Sequence, residues 1–193
     1  MVRLETKTAL QKQAAFDRLH DWLRALPGEY DVLREVAALC VRHGVDAHAI
    51  CPELCMSWDE LRAFASDPLV TIGAHTITHP NLAKQREDAA LNELKTSRER
   101  IETQLGRPVR HLAYPYGDRL AAGPREFALA KAAGFKTAVT TRPGMIFPES
   151  AGHMTALQRI SLNGNFQDER ILPVLTSGAA TAMWNGFRRI DAA

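Results

Sequence analysis

The chain has 193 residues, enough for one domain with a buried core. Its composition, 46% hydrophobic and 24% charged, is ordinary for a soluble globular protein, and a net charge of +2 gives no electrostatic case for nucleic acid or an anionic membrane as partner. Three cysteines, Cys40, Cys51 and Cys55, suit free thiols better than a disulfide framework. No secretory signal or membrane-length apolar run is visible either, so a cytoplasmic location is expected.

From about Thr8 to Leu26, apolar residues at Leu10, Ala14, Phe16, Leu19, Leu23 and Leu26 recur at helical intervals, and Pro27-Gly28 breaks the pattern. A second helix is expected from about Asp31 to His43, through Val32, Leu33, Val36 and Leu39, ending at Gly44. The apolar stripes of both helices read as core. The following stretch, HGVDAHAICPELC, carries His43, His48, Cys51 and Cys55 close to Cys40 and invites a structural-zinc reading. No second well-spaced ligand pair follows, which argues against it.

Ser57-Trp58-Asp59-Glu60 has the form of a capping box opening a short helix that ends at Asp67-Pro68. Residues 1–55 therefore read as an amino-terminal helical segment and 56–193 as the second part. A β-prone run, Leu69 to Ile72, then leads through Gly73-Ala74 to His75 and His79, and Pro80 stops the segment. Two imidazoles four residues apart can converge on one cation; the alternative is two unrelated polar loop histidines.

A long amphipathic helix follows from about Glu87 to Leu105, with Ala90, Leu94, Ile101 and Leu105 on one face. Glu93, Arg98, Arg100 and Glu102 read as its solvated face, and Gly106 and Pro108 close it. Strands are expected over Val109–Tyr114, Phe135–Thr141 and Leu157–Leu162. A helix from Pro124 to Gly134, a turn at Arg142-Pro143-Gly144, a turn at Asn163-Gly164 and a helical tail from about Phe166 to Phe187 complete the chain. Strands alternating with helices predict a parallel sheet, whose carboxyl edge would carry His75, Tyr116 and Thr140-Thr141.

His75-Thr76-Ile77-Thr78-His79-Pro80, followed after a helix by Ala113-Tyr114-Pro115-Tyr116-Gly117-Asp118 and then by Ala133-Gly134-Phe135-Lys136-Thr137-Ala138, resembles the polysaccharide deacetylase family, the NodB-homology group of carbohydrate esterases. The resemblance covers about Met56 to Asn163 and implies an α/β fold, a partial, distorted (β/α) barrel with parallel strands and extra amino-terminal helices. It implies removal of acetyl groups from N-acetylated oligosaccharides or polysaccharides with a divalent metal, most often zinc.

By that resemblance His75 and His79 are metal ligands, and the Tyr116 backbone N–H, presented by Pro115, is an oxyanion donor. Thr76, Tyr114 and Asp118 fall on the substrate side. Three departures stand out. No Asp-Asp pair occurs in the chain, although the family uses one for its base and its third ligand. Ala113 stands where many members have arginine, and Arg159 where many have a histidine acid. The expectation is the carboxyl-terminal portion of a deacetylase, incomplete without its first strand, with an open sheet edge for self-association or a partner chain. The alternative is a non-catalytic carbohydrate-binding or interaction module of the same descent.

Overall fold

The computed structural model describes residues 3–162 and 167–188. They belong to two compact units, Met1–Ser57 and Trp58–Ala193.

In the first unit, α1 (Ala9–Ala25) is opened by a capping box. The Thr8 hydroxyl accepts the Gln11 N–H at 3.2 Å, and the Gln11 carboxamide accepts the Thr8 N–H at 3.1 Å. Next, α2 (Glu29–His43) ends at Gly44, whose φ of 64° is the left-handed conformation that glycine adopts at low cost. The histidine- and cysteine-bearing stretch folds as a further helix, α3 (Ala47–Leu54), capped by Asp46 through the N–H groups of His48 and Ala49.

The apolar stripes of α1 and α2 are not a core. Ala15 is the buried residue of α1, and neither α2 nor α3 has one, while Leu10 is 81% exposed. Two helices meet along a narrow seam that cannot cover wide stripes. Leu19, Trp22, Ala38 and Leu39 instead line an open cavity of about 490 Å³.

The second unit begins with α4 (Trp58–Ala65) and contains α5 (Glu87–Leu105), β1 (His111–Ala113), α6 (Pro124–Ala132), β2 (Thr137–Pro143), β3 (Leu157–Arg159), α7 (Ile171–Thr176) and α8 (Ala179–Trp184). Short 3₁₀ turns occupy Leu82–Lys84 and Pro148–His153. The strands form a parallel sheet in the order β1-β2-β3, with Leu112 opposite Ala138 and Val139 opposite Leu157. On the outer side of β1, Ala74 forms a single parallel bridge to Leu112. Among the described residues, three short strands and one bridged residue do not close a barrel.

The strand expected over Leu69–Ile72 does not form, and the sheet is reached only at the Ala74 bridge. Asp67 is the reason: its carboxylate accepts the Leu69 N–H at 2.8 Å and its carbonyl the Val70 N–H at 3.0 Å, which bends the chain where a strand would start. The turn expected at 142–144 is displaced, because β2 continues to Pro143. The single tail helix is two, divided at Gly178 with φ 78°. The Asn163-Gly164 turn lies outside the described residues.

The core sits between the sheet and α5 and α6. Ala90 and Leu94 of α5 and Ala130 of α6 are fully buried, and they pack with Leu112, Phe127 and Ala138. Burying a side chain such as Leu94 contributes about 1.5–3 kcal/mol. The charged face of α5 is only partly solvated. Arg98 donates to Glu102 at 2.9 Å and to the Ala133 carbonyl at 2.8 Å, and Glu102 accepts the Val109 N–H at 2.9 Å. These bonds tie α5 to the segments that enter β1 and β2. Among the described residues, no helix is long and apolar enough to cross a membrane.

Candidate functional site

The bridge at Ala74 anchors the start of the histidine loop to the sheet. Its N–H donates to the His111 carbonyl at 2.8 Å, and its carbonyl accepts the Ala113 N–H at 3.0 Å. The next residue, His75, donates from Nδ1 to the Ala113 carbonyl at 2.7 Å. A carbonyl can only accept, so Nδ1 carries a proton, and in the neutral tautomer with that proton the lone pair is on Nε2. This is the usual arrangement around a ligating histidine, in which a backbone acceptor fixes the tautomer.

The chain then turns back on itself. Thr76 and His79 have φ of 66° and 56°, left-handed values that L side chains rarely adopt, each costing about 1–2 kcal/mol. The Thr76 hydroxyl accepts the His79 N–H at 3.1 Å and closes the turn. The result brings the two imidazoles edge to face with ring centroids 4.8 Å apart. Both histidines are exposed, so the pair is open to solvent.

The second motif folds against the same rings. Pro115 is buried, Tyr116 takes φ 59°, and its ring lies 5.0 Å from that of His79. Thr141 on β2 holds this loop from the other side: its hydroxyl donates to the Tyr116 carbonyl at 2.7 Å and its N–H to the Gly117 carbonyl at 3.0 Å. Gly117 has φ 65°, and a Cβ there would come within 2.7 Å of the Thr141 nitrogen, so only glycine fits. Asp118 uses its carboxylate to accept the Leu120 N–H at 2.8 Å and its carbonyl to accept Ala121 and Ala122. It also bears on Arg142, whose guanidinium burial and Arg119 pull below its ordinary value while Asp118 opposes them.

His75, Thr76, His79, Pro115, Tyr116 and Asp118 thus lie in two adjoining loops at one edge of the sheet. Tyr114 does not join them, and its expected place on the substrate side is corrected. It is 2% exposed, stacks 5.6 Å from Phe127, and donates its hydroxyl to the Thr155 carbonyl at 2.7 Å. Burial pushes its phenol far above the ordinary value. Leu112 and Tyr114, two residues apart at the end of β1, both face the core, and the chain leaves that alternation only at the left-handed Tyr116 and Gly117.

Glu93 was not visible as a site residue. It sits mid-helix on α5 among charged neighbours, and its sequence context gives no sign that its carboxylate accepts the N–H groups of Ile77 and Thr78. Among the described residues, no group of three or more His, Cys, Asp or Glu is placed to hold a metal ion, in the histidine loop or around Cys51 and Cys55. Two imidazoles have the donor chemistry for a divalent cation and would amount to two of the usual three or four ligands.

No curated protein matches the chain. In structure it is similar to the Streptococcus pyogenes deacetylase PplD in complex with acetate, with a TM-score of 0.55, 23% identity and coverage of 62% of this chain and 50% of that one. It is also similar to BC0361, a polysaccharide deacetylase from Bacillus cereus, with a TM-score of 0.54, 24% identity and coverage of 63% and 37%. At these identities the likeness carries the fold, the NodB (β/α) barrel, of which this chain spans half the length of the first relative and less of the second. The polysaccharide deacetylase family model matches residues 28–138, more than half of the sequence and inclusive of both the histidine loop and the Tyr116 loop. The chain belongs to the polysaccharide deacetylase family, the NodB-homology group.

Proposed function

We propose that the chain provides the histidine and oxyanion-loop part of a metal-dependent deacetylase acting on N-acetylated oligosaccharides or polysaccharides. Family and fold support a deacetylase function, and the family is generally metal-dependent. The observation that carries the reading is the histidine pair. His75 has its Nδ1 proton fixed on the Ala113 carbonyl, and His79 is turned against it by a left-handed backbone.

In this reading His75 and His79 hold a divalent ion, zinc first. When bound, the ion supplies Lewis-acid polarisation of the acetyl carbonyl and a water acidic enough to attack at neutral pH. The chain's own residues do the rest of the positioning. Thr76 closes the turn that brings His79 to His75. The Tyr116 N–H, set by Pro115 and by the Thr141 contacts to the next carbonyls, stabilises the developing oxyanion, a contribution on the order of 3 kcal/mol. Asp118 holds the end of that loop and faces the sugar. Arg159, exposed at the end of β3, carries a guanidinium where many members have a histidine and does not serve as the acid.

The base and the third ligand are carboxylates from beyond the two loops, brought in by another segment or by a partner chain along the open edge at Ala74. A non-catalytic descendant keeps the fold without them.

Calorimetric titration of the full chain with zinc chloride tests the reading. One-to-one binding that His75→Ala abolishes is the expected result. Absence of binding, or binding indifferent to His75→Ala, overturns the metal reading.

A further inference from the structure

The turn between the two histidines contains Ile77 and Thr78, flanked by the left-handed Thr76 and His79. Left alone, these two residues would relax toward ordinary backbone and carry His79 away from His75. Something must hold the turn, and the holding group lies on another element. Glu93, half-buried in the middle of α5, accepts the Ile77 N–H at 2.7 Å and the Thr78 N–H at 3.0 Å on Oε2, and the Thr78 hydroxyl at 2.8 Å on Oε1.

With the Thr76 hydroxyl taking the His79 N–H, three consecutive amides of the turn are each satisfied by a side-chain acceptor. The helix that supplies Glu93 is itself fixed by the core at Ala90, about one turn before it, and at Leu94, the next residue. Hydrogen bonds to a carboxylate are about twice as strong as neutral ones. The turn is therefore referenced to the rigid part of the unit rather than to solvent.

We propose that Glu93 is a positioning residue of the histidine site, setting the placement of His79 against His75 and thereby the affinity of the pair for a divalent cation. This rests on the metal reading of the pair. The effect is specific to His79. His75 precedes the turn and is held separately, through the Ala74 bridge and its own bond to the Ala113 carbonyl. His111, bonded to Thr137 across β1 and β2 at 2.7 Å, has no link to Glu93 and is the internal reference.

Three full-length variants test this with two readouts, zinc chloride affinity by calorimetry and the imidazole ring signals by ¹H–¹⁵N NMR. Glu93→Ala is expected to weaken zinc binding by about tenfold or more, the usual cost of removing a group that orients a ligand. It should also shift or broaden the His79 ring signals while those of His75 and His111 stay in place. Glu93→Gln keeps an oxygen for the two N–H groups and an amide that can donate to the Thr78 hydroxyl, so it should restore most of the affinity and the His79 signals. Thr78→Ala removes only the hydroxyl contact and should give a smaller change of the same kind, which carries the test if Glu93→Ala does not fold.

Unchanged zinc affinity and unmoved His79 signals in Glu93→Ala, or in Thr78→Ala where it stands in, overturn the proposal. So does a disturbance that reaches His111 equally, since that is loss of fold rather than of position. If the unsubstituted chain binds no zinc, the metal reading fails, and the His79 signals alone decide whether Glu93 positions the ring.

Discussion

Replacing Tyr114 by phenylalanine separates a core role from a substrate role at one position. The substitution keeps the ring and its packing 5.6 Å from Phe127 and deletes the hydroxyl that donates to the Thr155 carbonyl at 2.7 Å. That carbonyl then loses a donor beside a side chain only 2% exposed, so water cannot readily replace the bond. A lost hydrogen bond of this kind costs about 1–2 kcal/mol. For a chain of this length about 2–4 °C of melting temperature goes with each kcal/mol, giving an expected fall of about 2–8 °C. Thermal denaturation followed by circular dichroism reads the fall, and calorimetry with an N-acetylglucosamine oligomer reads any loss of binding. A variant that melts like the parent but binds the oligomer less tightly would refute the core assignment and return Tyr114 to the substrate side.

Leu94→Ala opens a cavity under the fully buried centre of α5 and should lower the unfolding free energy by about 2–5 kcal/mol in a denaturant titration. Gly117→Ala places a Cβ 2.7 Å from the Thr141 nitrogen at φ 65°. Strain and clash together should cost about 2 kcal/mol or more; equal stability would mean that the Tyr116 loop is not confined by β2. Glu102, whose carboxyl is held below its ordinary value of 4.5 by the Val109 N–H and Arg98, contributes stability that is present above that value and lost as the pH falls through the lowered one. The stability gap between the parent and Glu102→Gln should therefore be widest near neutrality and close on acidification below about pH 4.5. A gap independent of pH would remove the carboxylate from the account.

Much of the fold was legible because its determinants are local. The helix expected from about Glu87 to Leu105 forms over Glu87–Leu105, since the Ala90, Leu94, Ile101 spacing and the closing Gly106 are both signals of sequence pattern. Two failures share one cause. The β-prone run at Leu69–Ile72 has the composition of a strand, but the Asp67 side chain captures its first N–H, and pairing with the sheet waits until Ala74. The stripes of α1 and α2 have the periodicity of buried faces, but periodicity reports what a helix could bury and not what is present to cover it.

The candidate site divides along the same line. His75, His79 and Tyr116 could be picked out because residue type and order point to them, and the structure brings their rings within 5.0 Å of one another in a chain of contacts. Tyr114 lies two residues from Tyr116 in the same motif yet serves the core. The turn geometry at Tyr116 and Gly117, both left-handed, reverses the direction in which successive side chains point. Glu93 shows the converse: a residue indistinguishable in sequence from the solvated charges around it supplies three of the contacts that shape the histidine turn. A ligand pair four residues apart is a statement about composition. Whether it can act as a pair depends on what holds two left-handed residues in place, and here that is decided fourteen residues downstream of His79, on a helix whose own position is fixed by Ala90 and Leu94. The stability of the α5 core and the geometry of the histidine site are therefore coupled, and substitutions that loosen Leu94 should reach His79 before they reach His75.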